Sequence, residues 1–263
     1  MVMDEYNKSR YTNLSLIKGL IILEQFCTAK TPLGISELSR MTGLHKSTVH
    51  RLVATLEECD WLRRTDTDKF KIAIKPIVLG RQAGEQMASL NVAHTFIREL
   101  RDQLQETVVL SMLVDGEVVC IDKATAHRSL ACSSEIGKVY PCYAGATGFS
   151  VLLGMNESEA YTFLQNQERR KFTDKTVTDL DTLMKMYRKG RTDGYVIISG
   201  HKDIGITGTA MPLWFPAEQA YGSVGVLTPD FRYTEDVRQK TIAALQETLE
   251  KLRVVLAPGL SET

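Results

Sequence analysis

The stretch that decides the fold is residues 35–60, which read ISELSRMTGLHKSTVHRLVATLEECD. Thr42 and Gly43 divide it into two segments with helical spacing, because glycine tolerates the positive φ of a tight corner between helices. In the first segment, Ser36 is a suitable N-cap. In the second, which begins near Leu44, apolar residues recur at i, i+3, i+4 and i+7: Val49, Leu52, Val53 and Leu56. The pattern predicts a helix pair whose second member buries one face.

The opposite face of the second helix carries the residues that would suit a DNA groove. They are small or carry flexible hydrogen-bond donors. The first carboxylate of the helix is Glu57, which is far from the end that would face the groove. Such side chains allow close approach to a duplex, contact phosphates through charge and read base edges through hydrogen bonds. The candidate DNA-contacting residues of the helix pair are Ser36, Lys46, Ser47, Thr48, His50 and Arg51.

The residues after the helix pair indicate a basic hairpin. Residues 61–65 and 69–73 have the composition of short strands, and the polar residues 66–68 supply a turn between them. A hairpin with cations beside a recognition helix is a winged helix-turn-helix, and these cations suit contact with the phosphate backbone. The hairpin adds three candidate DNA contacts, Arg63, Arg64 and Lys69, and a fourth basic residue, Lys71.

Several motifs here resemble those of the IclR-type transcription regulators. They are SL at 15–16 with GLIIL at 19–23, ISEL at 35–38, TGL at 42–44 with KSTVHRL at 46–52, and KFKI at 69–72. KSTVHRL is the most specific, and the resemblance extends over nearly the whole chain. It implies an α/β (α+β) fold with three parts. These are an N-terminal winged helix-turn-helix domain at 13–75, a linker helix at 76–90 and a C-terminal GAF-like effector-binding domain at 91–259.

The composition allows ordinary buried cores but gives no overall electric field. Of the 263 residues, 43% are hydrophobic, and 32 Lys and Arg balance 32 Asp and Glu. DNA binding must therefore depend on local charge, and residues 13–75 hold ten Lys and Arg against seven Asp and Glu. The polar N-terminal residues and the lack of an apolar run of ~20 residues predict a cytoplasmic protein without a membrane span.

The five cysteines show no C-x-x-C spacing and no histidines at metal-ligand spacing. We expect free buried thiols. A redox pair of Cys132 with Cys142 is an alternative for which no feature of the sequence argues.

The rest of the chain alternates helix and strand patterns. Residues 1–13 are expected to be a disordered lead, and Ser15 to cap the first helix. A helix opened by Pro76 should run to residue 90, and another should cover 91–105. Asp115-Gly116 joins two β-rich runs and is the strongest hairpin signal. Further strands are expected at 136–143, 195–198, 207–213 and 221–227, and further helices at 144–153, 156–166, 179–190 and from 234.

The sequence contains no catalytic or metal-binding motif. It lacks a G-x-S-x-G elbow, a phosphate loop, an H-E-x-x-H pair and a dinucleotide fingerprint. We therefore expect no cofactor, no metal and no enzyme activity. Two alternatives stay open: an enzyme with an accessory winged-helix domain, and a protein-interaction module that uses the winged helix against protein partners, which the zero net charge suits.

The resemblance also implies a ligand pocket in the second domain. Residues 141–148 resemble the helix that covers the family's pocket, and residues 194–212 resemble its strand-loop-strand segment. Where members that bind small oxo-acids have an acid, a cysteine and two serines, this chain has Ile198, Gly208, Gly225 and Leu227. We therefore expect an enlarged, less polar pocket and a bulkier effector of the organic-acid or sugar-acid class. The candidate contacts are Tyr143, Ala144, Ala146, Thr147, Ile198, Asp203, Gly208, Thr209, Gly225 and Leu227, with His201 as a further polar candidate.

These observations predict a sequence-specific transcriptional regulator whose DNA binding a small metabolite modulates; repression is favoured, and activation stays open as an alternative. A single winged helix reads only a few base pairs, so useful specificity requires two or more copies on a palindromic operator. The resemblance implies homodimers or dimers of dimers. Effector binding would shift the population between DNA-competent and incompetent arrangements.

Overall fold

The computed structural model describes residues 13–29, 31–132 and 134–257. Residues 1–12 of the disordered lead expected at 1–13 lie outside them, whereas Asn13 is described. The chain divides into two compact units, one ending at Gln86 and the other beginning at Met87. Each is described by itself.

The first unit contains a small core formed by three helices and a hairpin. Helices α1 (Leu14–Thr28), α2 (Ile35–Thr42) and α3 (Lys46–Glu58) are followed by strands β1 (Leu62–Arg64) and β2 (Phe70–Ile72) and by helix α4 (Lys75–Gln86). Leu33 and Phe70 exchange backbone hydrogen bonds of 2.9 and 2.8 Å, which fasten the hairpin to the segment before α2. The buried residues of this core are Ile22, Leu33, Leu38, Val49, Val53, Leu62 and Phe70.

Two helix caps differ from the predicted ones. Asn13, rather than Ser15, caps α1, because its Oδ1 accepts from the backbone N–H of Ser15 at 3.0 Å. Helix α2 begins after Gly34, so the predicted cap Ser36 lies inside its first turn. The carboxylate of Glu37 takes the capping role there, since its Oε2 accepts from the N–H of Gly34 at 2.7 Å.

The predicted helix over residues 76–90 is not continuous. It ends at Gln86, and Met87, with φ −87° and ψ 81°, separates it from helix α5 (Ala88–Leu104). Residues 88–90 therefore belong to the helix that opens the second unit, which was predicted to begin at residue 91. Leu79 of α4 is 54% exposed, so this apolar side chain is not part of a buried core.

The second unit is a six-stranded antiparallel sheet in the order β5-β4-β3-β8-β7-β6. The strands are β3 (Thr107–Val114), β4 (Glu117–Ala124), β5 (Val139–Tyr140), β6 (Val196–Ser199), β7 (Ile206–Phe215) and β8 (Ala220–Pro229). Strand β5 is much shorter than the predicted 136–143. The predicted Asp115-Gly116 hairpin is confirmed, with φ of 48° and 79° at the two turn residues.

Helices cover both faces of this sheet. Helices α6 (Ala146–Leu152), α7 (Glu157–Asn166) and α8 (Leu180–Asp193) share one hydrophobic core with one face. Helix α5 and helix α9 (Glu235–Leu256), which follows a 3-10 turn at Asp230–Arg232, share a second core with the other face. The mixed helix and sheet class predicted from the sequence is confirmed.

Alternation along the strands decides which side chains meet helix α6. Gly208 and Ala210 of β7 point to the α6 face, whereas Thr209 and Met211 point to the α9 face. Gly208 pairs with Ile198 of β6, so the two share the α6 face of neighbouring strands.

Candidate functional site

Helix α3 turns the predicted recognition face to solvent. Val49 and Val53 are buried in the core, and Leu52 and Leu56 are half-buried. Of the predicted DNA contacts on this helix, Thr48 is half-buried, and four are exposed: Lys46, Ser47, His50 and Arg51. The helix therefore presents donors and cations on a surface that the core leaves free.

His45 caps this helix, a role that the sequence did not reveal because histidine is not among the usual cap residues. Its Nδ1 accepts from the backbone N–H of Ser47 at 3.4 Å and lies 2.8 Å from the Ser47 Oγ. With Nδ1 as the acceptor, the Ser47 hydroxyl donates its proton to His45. Its oxygen lone pairs stay available to a donor on a partner.

The hairpin places two cations opposite each other. Arg63 of β1 pairs in register with Lys71 of β2, and both side chains are exposed. Neither forms an ion pair with a carboxylate in the described part of the chain. Like charges directly across a strand pair repel, and a bound anion would relieve this repulsion. The pair is therefore suited to a phosphate.

The two other predicted hairpin contacts have partners inside the unit. Arg64 Nε lies 3.0 Å from Asp68 Oδ1, and Lys69 Nζ lies 3.1 Å from the Glu37 carboxylate. The Gly34 N–H and then the Lys69 ammonium hold the pKa of Glu37 below its ordinary value. To contact DNA, Arg64 and Lys69 must either leave these carboxylates for a phosphate or contact both groups at once. Ser36, which is exposed, precedes Glu37 directly.

In the second unit, a small cavity lies between the start of α6 and strands β6, β7 and β8. Its volume is about 50 Å³. It collects seven of the ten predicted effector contacts: Ala144, Ala146, Thr147, Ile198, Asp203, Gly208 and Leu227. His201 also lines it. We call this space the small cavity.

The prediction that glycines enlarge this cavity is wrong. A Cβ placed on Gly208 would lie 2.8 Å from the Cβ of Ala146, and one on Gly225 would lie 2.5 Å from Thr147 Oγ1. The space left by the missing side chains is thus filled by helix α6, which approaches the sheet closely. The Ser223 hydroxyl donates to the Thr147 carbonyl oxygen at 2.8 Å and holds the helix there.

Three predicted contacts lie elsewhere. Thr209 points to the other face of the sheet, where its Oγ1 is 2.7 Å from the hydroxyl of Tyr233. Gly225 lies beneath Thr147 and does not line the small cavity. The Tyr143 hydroxyl binds the backbone of Arg170, accepting from its N–H at 2.9 Å and donating to its carbonyl at 3.2 Å. The family resemblance pointed to these positions but did not reveal which way their side chains point.

The small cavity is cationic, which the sequence did not predict. Lys138, Lys202 and His201 line it, and Asp203 is the one acid among its lining residues. Burial, and then Lys138, lower the pKa of Lys202, although Asp203 raises it. Burial, and then Lys175, lower the pKa of His201, whose Nδ1 is buried without a hydrogen-bond partner in the described residues. A carboxylate would supply the partner that these groups lack.

Neither a metal site nor a membrane-spanning helix is found in the part of the chain that the structure describes. No group of three or more His, Cys, Asp or Glu there could hold a metal ion. None of the described helices is long and apolar enough to cross a membrane. All five cysteines are free thiols, and Cys27 and Cys59 are exposed, in contrast to the expectation that all are buried.

Relatives and solved structures match almost the full length of the chain. The HTH-type transcriptional regulators KdgR and XynR of Escherichia coli are each 25% identical to it, over 84% of this chain and 84% of KdgR, and over 94% of this chain and 96% of XynR. An IclR-type regulator from Alicyclobacillus acidocaldarius superposes with a TM-score of 0.85 at 20% identity, over 94% of this chain and 100% of that one. An IclR homologue from Microbacterium hydrocarbonoxydans, solved with 4-hydroxybenzoate, has a TM-score of 0.74 at 20% identity, over 91% of this chain and 99% of that one.

A winged helix-turn-helix unit followed by a sheet domain with a polar cavity defines a helix-turn-helix transcriptional regulator. The model of the IclR helix-turn-helix domain matches residues 15–66, and that of the bacterial transcriptional regulator IclR C-terminal domain matches residues 82–254. The chain belongs to the IclR family of bacterial transcriptional regulators. The predicted resemblance is confirmed, and the chain is a regulator rather than an enzyme with an accessory winged helix.

Proposed function

We propose that this regulator is a sequence-specific repressor, acting in the cytoplasm, whose affinity for operator DNA a small organic acid controls. Residues 13–75 would bind DNA, α4 would be the linker, and the unit from Met87 onward would bind the acid. The observation that carries the proposal is the exposed face of α3 beside a hairpin with unpaired cations. A relative named transcriptional repressor IclR in Escherichia coli, 23% identical over 84% of this chain and 82% of that one, supports repression.

The candidate DNA contacts divide by their present partners. Lys46, Arg51 and Arg63 form no ion pair within the described residues and would contact phosphates or base edges directly. Ser47, with its proton engaged by His45, would accept from a base amino group. Thr48, His50 and Ser36 would flank them. Arg64 and Lys69 would reach the backbone by exchanging their carboxylate partners for phosphates.

Exposed apolar residues of the first unit support self-association. Leu16 of α1 is 63% exposed, and Ile77 and Val78 of α4 are 62% and 52% exposed. Burial of such side chains against a second copy would be favourable. A homodimer, or a dimer of dimers, would also place two α3 helices on a palindromic operator, which one winged helix cannot read with useful specificity.

The properties of the small cavity indicate the effector class. Its cations favour an anion, and its volume of about 50 Å³ suits a two- or three-carbon acid rather than the bulkier effector expected from the glycines. Ala144, Ala146, Thr147, Ile198, Gly208 and Leu227 would form the wall, and Lys138, His201, Lys202 and Asp203 the polar contacts. A homologue solved with 4-hydroxybenzoate supports binding of small molecules by this fold.

Selection of operator sequences from a random duplex pool, followed by fluorescence anisotropy, tests the DNA half. Arg51→Ala and Ser47→Ala should each weaken binding to the selected duplex by about 1–3 kcal/mol. Their free energy of unfolding should change by less than about 0.5 kcal/mol, because both side chains are exposed. Glu58→Gln, at the far end of α3, is the matched control. Normal operator binding by both alanine variants would contradict the assignment.

A thermal-shift screen tests the effector half. A ligand that binds the native state alone must raise the melting temperature. Pyruvate, as a small oxo-acid, should stabilise the protein more than gluconate, a six-carbon sugar acid. Lys202→Gln should remove that shift. Equal shifts for the variant and the natural chain would exclude Lys202 as the acid's partner.

A further inference from the structure

A second and larger cavity borders the small one. It has a volume of about 530 Å³, within the range of about 300–1,000 Å³ that is usual for small-molecule sites. Its walls are the start of β4, the edge strand β5, residues 141–143, and the segment from α7 to residue 172. Tyr140 and Lys202 line both cavities. We call this space the large cavity.

Four aromatic side chains shape the large cavity: Tyr140, Tyr143, Phe163 and Phe172. The rings of Tyr143 and Phe172 are 6.1 Å apart between centroids and tilted by 35°. The Tyr143 hydroxyl binds both backbone groups of Arg170, which fixes the wall on that side. The cavity is therefore preformed and suited to a flat ring, which packs against aromatic faces and edges.

The charges inside the large cavity favour an anion. Lys202 is half-buried, its Nζ lies 4.9 Å from the centroid of the Tyr140 ring, and in the described chain it has no carboxylate partner. Arg170 lies over Phe172, 5.0 Å from the ring centroid, and likewise forms no ion pair among the described residues. The two acids of the wall, Glu117 and Glu168, are exposed, so water screens them more than it screens Lys202.

We propose that the large cavity is a second ligand site, which takes a planar aromatic carboxylate with its ring among Tyr143, Phe163 and Phe172 and its carboxylate on Lys202. Arg170, at the exposed wall, adds a second cation to the site. The site is distinct from the small cavity, whose volume of about 50 Å³ is about a tenth of that of the large cavity.

Sharing of Lys202 couples the two sites. One ammonium cannot be the full partner of two carboxylates, so an acid in one cavity weakens binding of an acid in the other. This competition rests on the proposed acid site in the small cavity, whereas binding in the large cavity does not. The regulator would thus respond to the ratio of an aromatic acid to a small acid.

Fluorine NMR titration of the full chain with 4-fluorobenzoate tests the proposal. The affinity should fall about tenfold in Lys202→Gln and severalfold in Arg170→Gln and Phe163→Ala, because each removes a contact of the charge or ring. Lys171→Gln, whose exposed side chain lines neither cavity, is the matched control. Arg170→Gln changes an exposed side chain, so it tests the site even if Phe163→Ala does not fold.

Three results would overturn the site. These are the absence of saturable binding at millimolar ligand, equal affinity for neutral 4-fluorobenzamide, and wild-type affinity in both Arg170→Gln and Phe163→Ala. Pyruvate should reduce the apparent affinity for 4-fluorobenzoate, and an unchanged affinity with pyruvate bound would overturn the coupling. If pyruvate gives no thermal shift, the small-cavity function fails, while selective loss of 4-fluorobenzoate binding in Arg170→Gln still supports the large cavity.

Discussion

The Cβ of Ala146 lies 2.8 Å from the point at which a side chain on Gly208 would begin. Helix α6 and strand β7 are therefore in contact at a distance that no other residue at 208 permits without movement. We expect Gly208→Val to displace α6 from the sheet and to destabilise the chain by about 1–3 kcal/mol. Acid-induced thermal shifts should disappear. Fluorescence anisotropy should still show operator binding by the variant, because the DNA contacts lie in the first unit.

Gly80→Ala is the control for this prediction, because a Cβ at residue 80 of α4 meets nothing within 4 Å. Its stability should be unchanged or slightly increased, since alanine is the better helix former. An unaltered acid response in Gly208→Val would show that the cavity does not depend on how closely α6 approaches the sheet.

The like-charge pair of Arg63 and Lys71 leads to a prediction about salt. If both contact phosphates, each neutralised contact releases counterions, and the slope of log K against log salt measures their number. Arg63→Gln and Lys71→Gln should each reduce that slope by about one, with similar losses for all duplex sequences. Lys185→Gln, an exposed change in α8, should leave the slope as it is. A loss of affinity for the selected operator alone would instead assign the hairpin to base recognition.

Much of the first unit was predictable because its signals are local. The 3.6-residue spacing of Val49, Leu52, Val53 and Leu56 was sufficient to place the buried face of α3. The caps were harder to predict, because Ser15 was as plausible a cap as Asn13 by residue type, and His45 is not a usual cap residue. Pairing of Lys69 with Glu37 joins residues 32 positions apart, which no local pattern reports.

The ligand cavity was less predictable, because its contents depend on packing between distant elements. The family resemblance pointed to Gly208 and Gly225, and the missing side chains were interpreted as empty space. Whether that space stays empty depends on how closely α6 approaches, which Ala146 and Thr147 decide. The cationic lining was missed for a similar reason, since Lys138 and Lys202 are far apart in the chain and meet at Tyr140.

The ion pair of Glu106 with Arg232 should be essential to the second unit. Arg232 donates two hydrogen bonds, of 2.7 and 2.8 Å, to the Glu106 carboxylate, and Glu106 is 3% exposed. Removal of one partner of a buried pair leaves an uncompensated charge, so Glu106→Ala should cost about 3–5 kcal/mol in urea unfolding. Asp236→Ala, which breaks an exposed pair with Lys240, should cost less than about 1 kcal/mol. Equal losses in the free energy of unfolding for the two variants would show that burial does not determine the contribution of the Glu106 pair to stability.

Thiol reactivity should separate two exposed cysteines from three buried ones. Burial raises the pKa of Cys142 to about 12 and that of Cys132 to about 11, so neither forms the reactive thiolate at pH 8. Cys27 and Cys59 are exposed. Ellman's reagent should therefore titrate two thiols quickly in the native chain and five after unfolding. Cys27→Ser with Cys59→Ser should abolish the fast phase, and a fast phase that persists would place a reactive thiol in the sheet unit.

Binding of a small acid should be accompanied by proton uptake. Burial lowers the pKa of both His201 and Lys202 in the free protein, which favours their neutral forms. A bound carboxylate stabilises the protonated forms, so both pKa values rise in the complex. Between the free and bound pKa values the complex holds more protons, and affinity must therefore increase as pH falls through that interval.

Calorimetry of pyruvate binding at one pH, in two buffers of different ionisation enthalpy, measures this uptake. The heat of binding should differ between the buffers, with the sign expected when the protein takes protons from the buffer. His201→Gln should reduce this difference, because the histidine no longer takes up a proton. Lys175→Gln removes the cation that, after burial, lowers the His201 pKa, so it should reduce the uptake in part. Equal heats in the two buffers, or an affinity that rises with pH, would mean that the acid binds away from His201 and Lys202.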